Sequence, residues 1–483
     1  MTARIAQRKT KIVATIGPAC DDLATLKAMI QAGMNVARLN FSHGDADQHA
    51  RRLERIRQAA AACDTLIATM IDTRGVEVRT GVLADEDVAL LPGAEFRLHA
   101  DGRDGDAAGV GVTYARFADE VLPGHCVLID DGTIELRVDR REGDTLVCHV
   151  VVGGTLRSRK GINLPDSTIS LGFDDPTVHR NSVDEIAFAV AHEVDYIAAS
   201  FIQSAADVQA LRTIQRAHDA RIPIIAKIES RRGVDHLEEI VAAANGTMVA
   251  RGDLGVELPL AEVPGTQKMI IRTTVYNGKP VITATQMLDS MERNPKPTRA
   301  EASDVANAIL DGSSAVMLSG ETATGRYPVA AVQTMAALAL KAESYLKEYG
   351  HLQKSQPNPA NVITEAVSQA AVQMATHLGA QAIISLTTTG FTSRLVSKHR
   401  PDCPILAITE SPLAARRLAM NWGVVPMLCP PELADRDKIA YAIAVARARA
   451  MLQDGDLVVA TAGYHQQPGT TDQIRVITLR ADG

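Results

Sequence analysis

The sequence predicts an α/β protein in which a (β/α)8 TIM barrel is interrupted by an inserted all-β lid domain and followed by a C-terminal α/β domain. Three observations lead to this prediction. Apolar strand-like segments alternate with segments of helical period until eight strands are complete. The alternation stops between residues 75 and 172, where short strand-like segments are separated by turn residues. It resumes and continues beyond a polar link at residues 351–361.

The barrel prediction depends on apolar segments that run into polar residues at their C-terminal ends. The predicted strands are Lys11–Pro18, Met34–Gly44, Thr65–Thr73, Asp195–Phe201, Pro223–Glu229, Thr247–Gly252, Pro280–Thr285 and Ala315–Ser319. The predicted helices are Leu23–Ala32, Gln48–Ala62, Ala206–Ala217, Val234–Ala244, Val263–Tyr276 and Arg299–Leu310. We assign residues 1–74 and 173–350 to this barrel domain.

The other two domains follow from the same patterns. In the insertion, residues 75–172, alternating segments predict strands at Glu95–His99, Cys126–Ile129, Thr133–Val138 and Thr145–Val151. In the C-terminal domain, residues 351–483, the predicted strands are Ala382–Leu386, Ile405–Ile408, Val424–Leu428, Leu457–Thr461 and Ile474–Leu479. Its predicted helices are Ile363–Leu378, Ser393–His399 and Pro412–Asn421.

Composition narrows the class of protein. The formal net charge of −7 over 483 residues argues against a nucleic-acid partner, which usually requires a basic surface. The six cysteines contain no C-x-x-C pair, which favours reduced thiols over disulfides or a zinc site. No run of 18 apolar residues and no signal-peptide pattern is present. We therefore expect a cytoplasmic protein with no membrane partner.

One stretch, Ile224–Ser230, organises the candidate site. Lys227 and Glu229 are two residues apart, so on a strand they point to the same face. The following strand runs into Asp253. A lysine and two carboxylates converging at strand ends suggest a site for a divalent metal and a phosphorylated ligand. A surface ion pair at a strand end is the alternative reading of either stretch alone.

The second and third strands end in a further polar cluster. Arg38, Asn40 and Ser42 alternate with apolar residues and therefore share one face of the second strand. Asp72 and Thr73 end the third strand. The oxygen atoms of Asn40, Ser42, Asp72 and Thr73 carry a single formal charge, which suits a monovalent cation. A polar face on an edge strand remains the alternative.

The loop TTTGFTSR of the C-terminal domain leaves a strand and opens a helix. Its hydroxyl groups and backbone amides could bind a phosphate group. The candidate residues are Thr387, Thr388, Thr389, Gly390 and Thr392. A Ser/Thr-rich turn that only caps the helix is the alternative reading.

Eight motifs, in order along the chain, resemble pyruvate kinase. They are KTKIVATIGPAC, MNVARLNFSHG, IDTRGVEVRTG, KGINLP, AKIES, MVARGDLGVELP, ITATQMLDSM and VMLSGETATGRYP. The resemblance implies transfer of the phosphoryl group of phosphoenolpyruvate to ADP, giving pyruvate and ATP in the last step of glycolysis. It also implies Mg²⁺ and K⁺ as cofactors, a homotetramer, and a phosphorylated sugar as a candidate effector.

The resemblance also implies individual roles. Arg38 and Lys227 resemble the residues that hold the transferring phosphoryl group. Glu229 and Asp253 match the Mg²⁺ ligands, and Asn40, Ser42, Asp72 and Thr73 match the K⁺ site. The remaining matches fall into three groups. The substrate carboxylate is held by residues that match Gly252, Asp253 and Thr285, and proton delivery involves matches to Thr285, Ser319 and Glu321. The nucleotide is contacted by matches to Arg79, Lys160 and His43.

Several positions depart from the pattern of the resembled family. Arg74 and Val76 stand where lysine and proline are common, at the hinge into the lid. Gln203 replaces a frequent arginine, and Ser170–Asp184 differs from the family stretch. Glu77 keeps the acidic residue that accompanies K⁺ dependence in this family.

Two other functions are compatible with the same motifs. One is a barrel enzyme that uses phosphoenolpyruvate in C–C or C–P chemistry, and the other is a catalytically weak regulatory paralogue. The nucleotide contacts expected at Arg79 and Lys160 argue against the first. The presence of Lys227, Glu229 and Asp253 argues against the second.

Overall fold

A computed structural model describes residues 8–75, 78–85, 87–130, 132–166, 176–350, 362–463 and 471–480. Four features singled out in the sequence lie wholly or partly outside these residues. They are Val76, Glu77, the first part of the atypical stretch (residues 170–175) and the polar link at residues 351–361.

The predicted barrel is confirmed. Eight parallel strands form a closed barrel, and their order around it follows their order along the chain. The strands are Lys11–Thr15, Val36–Asn40, Ala68–Asp72, Tyr196–Ala199, Ile224–Ile228, Gly246–Ala250, Val281–Ala284 and Ala315–Leu318. The insertion lies between the third and fourth strands and leaves the barrel closed. Because the eight strands are parallel, their C-terminal ends meet at one rim.

Two apolar clusters hold the barrel together. The inner cluster fills the barrel with side chains such as Val36, Met70, Met248 and Met317. The outer cluster packs the strands against the surrounding helices. Since both faces of every strand are covered, the strands read as nearly continuous apolar segments. Polar residues at strand ends therefore stand out in the sequence.

The helices that surround the barrel in the described part of the chain confirm five of the six predicted ones, and five others were not predicted. The observed helices include Leu23–Ala32, Ala46–Ala62, Pro176–Ala191, Ala205–Ala217, Arg231–Asp235, Leu237–Ala243, Arg251–Glu257, Val263–Tyr276, Arg299–Leu310, Gly320–Ala323, Pro328–Glu343 and Leu346–Tyr349. The single helix predicted at Val234–Ala244 was wrong, because the backbone turns at His236 (φ −101°, ψ 19°). The sequence GDLG also predicts a turn at Gly252–Gly255, because glycine favours turns, and this prediction was wrong. Those residues lie within a short helix that follows the sixth strand directly.

The insertion is an all-β unit with its own core. Its main sheet has six strands and a second sheet has two. The strands are Asp87–Leu90, Glu95–His99, Gly109–Gly111, Cys126–Ile129, Ile134–Glu142, Thr145–Val152, Gly154–Arg157 and Ile162–Asn163, with a short helix at Phe117–Glu120. Asn163 Nδ2 donates to Glu257 Oε1 across 3.1 Å, so the insertion rests on the helix that carries Asp253.

The C-terminal sheet has five strands in the order Val424–Leu428, Ile405–Thr409, Ala382–Leu386, Leu457–Gly463 and Thr471–Thr478. Only the last of them is antiparallel to its neighbour. The helices are Val362–Leu378, Phe391–Lys398, Pro412–Leu418 and Asp435–Ala448. The last helix was missed in the sequence, since alanines and charged residues conceal its apolar face.

The barrel and the C-terminal domain are joined by polar contacts. Arg416 Nε lies 2.9 Å from Asp195 Oδ1, and the hydroxyl of Tyr196 donates to the carbonyl of Arg417 at 2.5 Å. Both barrel residues lie at the start of the fourth strand. No helix of the described part of the chain is long and apolar enough to cross a membrane.

A half-buried histidine predicts a pH dependence of stability. Burial, and then the charge of Lys398, lower the pKa of His399 from 6.5 to about 4. Between these two pH values the unfolded chain binds a proton that the folded protein does not, so stability falls as the pH falls from 6.5 towards 4. We expect a loss of about 2 kcal/mol between pH 7 and pH 5 from this group.

The measurement is urea denaturation at the two pH values. His399→Gln should remove this share of the acid destabilisation, whereas His377→Gln at an exposed helical position should not. An unchanged pH slope in His399→Gln would show that His399 ionises freely in the folded protein.

Candidate active site

The candidate site lies at the rim where the barrel strands end. Lys227 lies within the fifth strand, Asp72 ends the third and Arg38 lies near the end of the second. The register places Arg38 beside Met70 and Asn40 beside Asp72 on neighbouring strands. The structure therefore brings together side chains that are far apart along the chain, because parallel strands end at the same edge.

The ammonium group of Lys227 is the centre of the cluster. Its Nζ lies 2.9 Å from Asp72 Oδ1 and 2.8 Å from Glu229 Oε1. It also donates to the hydroxyl of Ser200 at 2.9 Å. Burial opposes the charge of Lys227, but Asp72 and Glu229 outweigh it and raise the pKa of Lys227. The lysine is therefore a fixed cation and not a proton donor at neutral pH.

Asp72 links the lysine to Arg38. Its Oδ2 accepts from Arg38 Nε at 2.7 Å, while Arg38 Nη1 donates to the hydroxyl of Thr15 at 2.8 Å. Asp72 is 1% exposed. Burial would raise its pKa, but the charges of Arg38 and Lys227 hold the pKa of Asp72 below its ordinary value. One carboxylate thus fixes two cations.

Two neighbouring carboxylates, Glu229 and Asp253, have raised pKa values, in contrast to Asp72. Burial, partly offset by Lys227, acts together with the charge of the neighbouring Asp253 to raise the pKa of Glu229 to about 7. Burial also raises the pKa of Asp253. Glu229 Oε2 accepts from the backbone amide of Phe201 at 2.5 Å. The buried Glu229 and the half-buried Asp253 both offer hard carboxylate oxygens and have too little positive charge nearby, which fits a divalent cation.

The proposed monovalent-cation residues also lie close together. The main chains of Asn40 and Asp72 are register partners, and Asn40 Oδ1 accepts from the amide of Ser42 at 3.1 Å. Thr73 Oγ1 accepts from the amide of Ser200 at 3.1 Å. Both carboxylate oxygens of Asp72 face cationic side chains in this structure. The donor set is rich in oxygen, which fits K⁺ chemically.

The predicted substrate-side residues meet at the ends of the sixth and seventh strands. The backbone amide of Gly252 donates to Thr285 Oγ1 at 2.7 Å. Thr285 and the following Gln286 both have positive φ values, 69° and 54°. A β-branched residue rarely adopts this conformation, and such strain is typical of functional sites.

The eighth strand ends beside this turn. Glu321 Oε2 accepts from the amide of Ser319 at 2.7 Å, and Glu321 Oε1 accepts from the amide of Leu288 at 3.0 Å. Burial raises the pKa of Glu321. The hydroxyl of Ser319 is buried without a hydrogen-bond partner among the described residues. It is therefore available to a bound water or ligand.

Three residues of the site were missed in the sequence. Ser200 donates to the carbonyl of Thr73 at 2.7 Å and accepts from Lys227, and Phe201 supplies the amide that binds Glu229. Arg251 binds the carbonyl of Thr285. The polar residue after the apolar fourth strand was a usable signal for Ser200. The other two act through geometry that a sequence does not display.

The candidate nucleotide contacts lie in the insertion, except for one. Arg79 forms a bridge with Gly161, next to Lys160, and Lys160 Nζ lies 2.9 Å from Asp130 Oδ1. The remaining candidate, His43, is exposed on the loop after the second strand, and its carbonyl contacts His49 Nε2 at 2.9 Å.

A cleft of about 780 Å³ opens at the C-terminal ends of the strands in the C-terminal domain. Thr387, Thr388, Thr389 and Thr392 line it, as does Phe391. The fifth predicted residue of this loop, Gly390, has a φ of 82° and donates its amide to Thr387 Oγ1 at 2.9 Å.

Taken together, a closed barrel with buried lysine, arginine and paired carboxylates at its rim defines a phosphoryl-transfer barrel enzyme. Comparison with known proteins gives the family. Residues 7–332 match the model of the pyruvate kinase barrel domain, and residues 365–477 match that of the pyruvate kinase alpha/beta domain. The chain belongs to the pyruvate kinase family.

Individual relatives agree over nearly the whole chain. It is 44% identical to a pyruvate kinase of Geobacillus stearothermophilus over 475 residues, which cover 97% of this chain and 80% of the relative. It is 41% identical to one of Clostridium acetobutylicum over 97% of this chain and 99% of the relative. The protein is therefore an enzyme that transfers the phosphoryl group of phosphoenolpyruvate to ADP, giving pyruvate and ATP. Enzymes of this family depend on metal ions.

Asp72 provides a test of the cluster's electrostatics. Asp72→Asn leaves the buried cations of Arg38 and Lys227 without this carboxylate. Breaking a buried ion pair costs about 3 kcal/mol or more, so the free energy of unfolding should fall by that amount. Urea denaturation would measure it, with Asp85→Asn at an exposed position as the matched control. A loss below about 1 kcal/mol would mean that the cations find other partners.

Proposed function

We propose that the rim cluster carries out phosphoryl transfer with Mg²⁺ and K⁺ as the cofactors. The observation that supports this most is the position of Lys227, whose ammonium lies between Asp72 and Glu229 at 2.9 and 2.8 Å. A permanent cation at the centre of the site is suited to the charge that spreads over the phosphoryl oxygens in the transition state.

Arg38 and Lys227 hold the phosphoryl group in this proposal. Both are cations fixed by Asp72, so neither needs to be reorganised when the substrate binds. The carboxylate of phosphoenolpyruvate would lie against the N-terminal turn of the helix Arg251–Glu257, near Gly252 and Asp253. For its amide to bind substrate, Gly252 must exchange its hydrogen bond with Thr285.

Glu229 and Asp253 would hold Mg²⁺. When bound, this ion would supply positive charge that neutralises negative charge developing on the substrate. Asn40, Ser42, Asp72 and Thr73 would hold K⁺. The oxygen-donor chemistry of these residues and the pairing of the second and third strands support this K⁺ assignment.

The enolate is then protonated on the side of Thr285. The hydroxyl of Thr285 contacts the amide of Gly252, and Ser319 and Glu321 lie at the end of the next strand. We propose that they orient a water that delivers the proton. Burial raises the pKa of Glu321, which is the direction expected of a carboxyl group that takes part in proton transfer.

The insertion would act as a lid that brings Arg79 and Lys160 to the nucleotide phosphates, with His43 on the facing loop. Excluding water favours transfer to ADP over hydrolysis. The contact between Asn163 and Glu257 supports this role, because it joins the lid to the helix that carries Asp253.

The cleft of the C-terminal domain would bind a phosphorylated effector, with a sugar phosphate as the leading candidate. Hydroxyl groups of Thr387, Thr388, Thr389 and Thr392 would contact the phosphate. For its amide to contribute, Gly390 would have to exchange its hydrogen bond with Thr387 Oγ1. We also propose the domain boundaries 1–74 with 173–350, 75–172 and 351–483, a homotetrameric assembly and a cytoplasmic location. The assembly is implied by the family resemblance, whereas the boundaries rest on the pattern of strands and helices and the location rests on the composition.

Lys227→Met tests the assignment of the phosphoryl-binding cation. We expect kcat to fall by about three or more orders of magnitude, because transition-state charge loses its fixed partner. Binding of Mn²⁺, measured by electron paramagnetic resonance, should persist because Glu229 and Asp253 remain. Lys268→Met, on the barrel surface, is the matched control. A near-normal kcat would contradict the role of Lys227, and initial rates with and without K⁺ would test the second cation.

Thr388→Asp tests the effector cleft. A carboxylate at this exposed position repels phosphate, so activation or inhibition by sugar phosphates at sub-saturating phosphoenolpyruvate should be lost. The rate at saturating substrate should stay within about twofold, since the cleft is in another domain. Thr376→Asp at an exposed helical position serves as the control. An unchanged response to the effector would remove this cleft from consideration.

A further inference from the structure

Arg251 binds the strained turn that carries Thr285. Its Nη2 lies 2.6 Å from the carbonyl oxygen of Thr285, and its Nε lies 3.2 Å from the same atom. The same Nε lies 3.3 Å from the carbonyl of Ala284, and Nη2 contacts Met287 Sδ at 2.9 Å. One guanidinium group therefore follows the chain from the last residue of the seventh strand into the loop beyond it.

The turn needs such a restraint. Thr285 and Gln286 have φ values of 69° and 54°, a left-handed conformation that side-chain-bearing residues rarely adopt. Conformations of this kind persist only where the surroundings hold them. If Thr285 relaxed to a negative φ, its carbonyl and its hydroxyl would both change direction.

The main chain at Gly252 holds the turn from a second side. The next residue along the chain, Gly252, donates its backbone amide to Thr285 Oγ1 at 2.7 Å. Thr285 is thus gripped at its carbonyl by the side chain of Arg251 and at its hydroxyl by the main chain that follows. Both contacts depend on where the start of the helix Arg251–Glu257 lies.

The guanidinium is in turn anchored by the helix Arg299–Leu310. Arg251 Nη1 lies 2.6 Å from Asp304 Oδ2, and Gln267 Oε1 lies 3.5 Å from the same nitrogen. The side chain of Arg251 is 11% exposed. These contacts use the guanidinium for protein carbonyls and carboxylates, which is the arrangement of a supporting residue and not of a substrate ligand.

We propose that Arg251 is a positioning residue for the protonation of the enolate, a proposal that rests on the role proposed above for Thr285. In that step the water held near Thr285 gives a proton to the methylene carbon of enolpyruvate. The O–H bond of the water breaks and leaves hydroxide, the C=C electron pair forms the new C–H bond, and the enolate oxygen becomes the ketone oxygen. Arg251 keeps the Thr285 hydroxyl aligned with that carbon, so its loss slows proton transfer more than substrate binding.

Arg251→Lys tests the proposal, because lysine keeps the charge but loses the forked donors. We expect the methyl hydrogens of pyruvate to exchange with D2O at least tenfold more slowly than in the wild-type enzyme. Proton NMR in the presence of Mg²⁺, K⁺ and ATP would measure this exchange. The KM for phosphoenolpyruvate should change less than threefold, and the solvent deuterium isotope effect on kcat should rise. Asp304→Asn should produce the same pattern in weaker form, since the contacts of Arg251 with Thr285 remain.

Controls separate this proposal from that for Thr285. Arg231→Lys, at an exposed ion pair with Glu262, should leave exchange unchanged. If Thr285→Val exchanges at the wild-type rate, the role of Thr285 is wrong and that of Arg251 falls with it. If Thr285→Val is slow but Arg251→Lys exchanges normally, or loses only affinity for phosphoenolpyruvate, only the proposal for Arg251 is overturned.

Discussion

The neutralisation of buried charge at the barrel rim is the constraint on which the site depends. Two cations, Arg38 and Lys227, contact the buried carboxylates Asp72 and Glu229, and the half-buried Asp253 adds a third negative charge close by. Asp72 is ionised because both cations flank it, whereas the other two carboxylates are left with raised pKa values. The imbalance favours a divalent cation where Glu229 and Asp253 lie, and the two fixed cations favour an anionic substrate beside it.

Backbone geometry does the rest of the positioning. The structure places left-handed residues where two barrel strands end: Phe201 after the fourth strand, and Thr285 with Gln286 after the seventh. The backbone amide of Phe201 donates to the carboxylate of Glu229, and the hydroxyl oxygen of Thr285 accepts from the amide of Gly252. These strained turns are tolerated because ion pairs and hydrogen bonds surround them, which couples the precision of the site to the charges discussed above.

Much of the fold could be predicted because the burial of each strand and helix determines the spacing of its apolar residues along the sequence. Strands covered on both faces appear as apolar runs, so Lys227 and Asp72 were conspicuous where those runs ended. Prediction failed where local signals conflict. His236 breaks a helix that its apolar neighbours favour, and Gly252 lies in a helix although glycine favours turns. In both cases the surrounding barrel decides the backbone conformation.

The sequence by itself determined the fold class, the family and the identity of nearly every charged group of the site, because strand ends and motif spacing are local properties. Only the tertiary structure decided which groups touch: that Asp72 binds Arg38 and Lys227 together, that Ser200 completes the lysine's contacts, and that Arg251 reaches Thr285. Those pairings join different barrel strands. Their distances depend on strand register and barrel closure, which no single segment encodes.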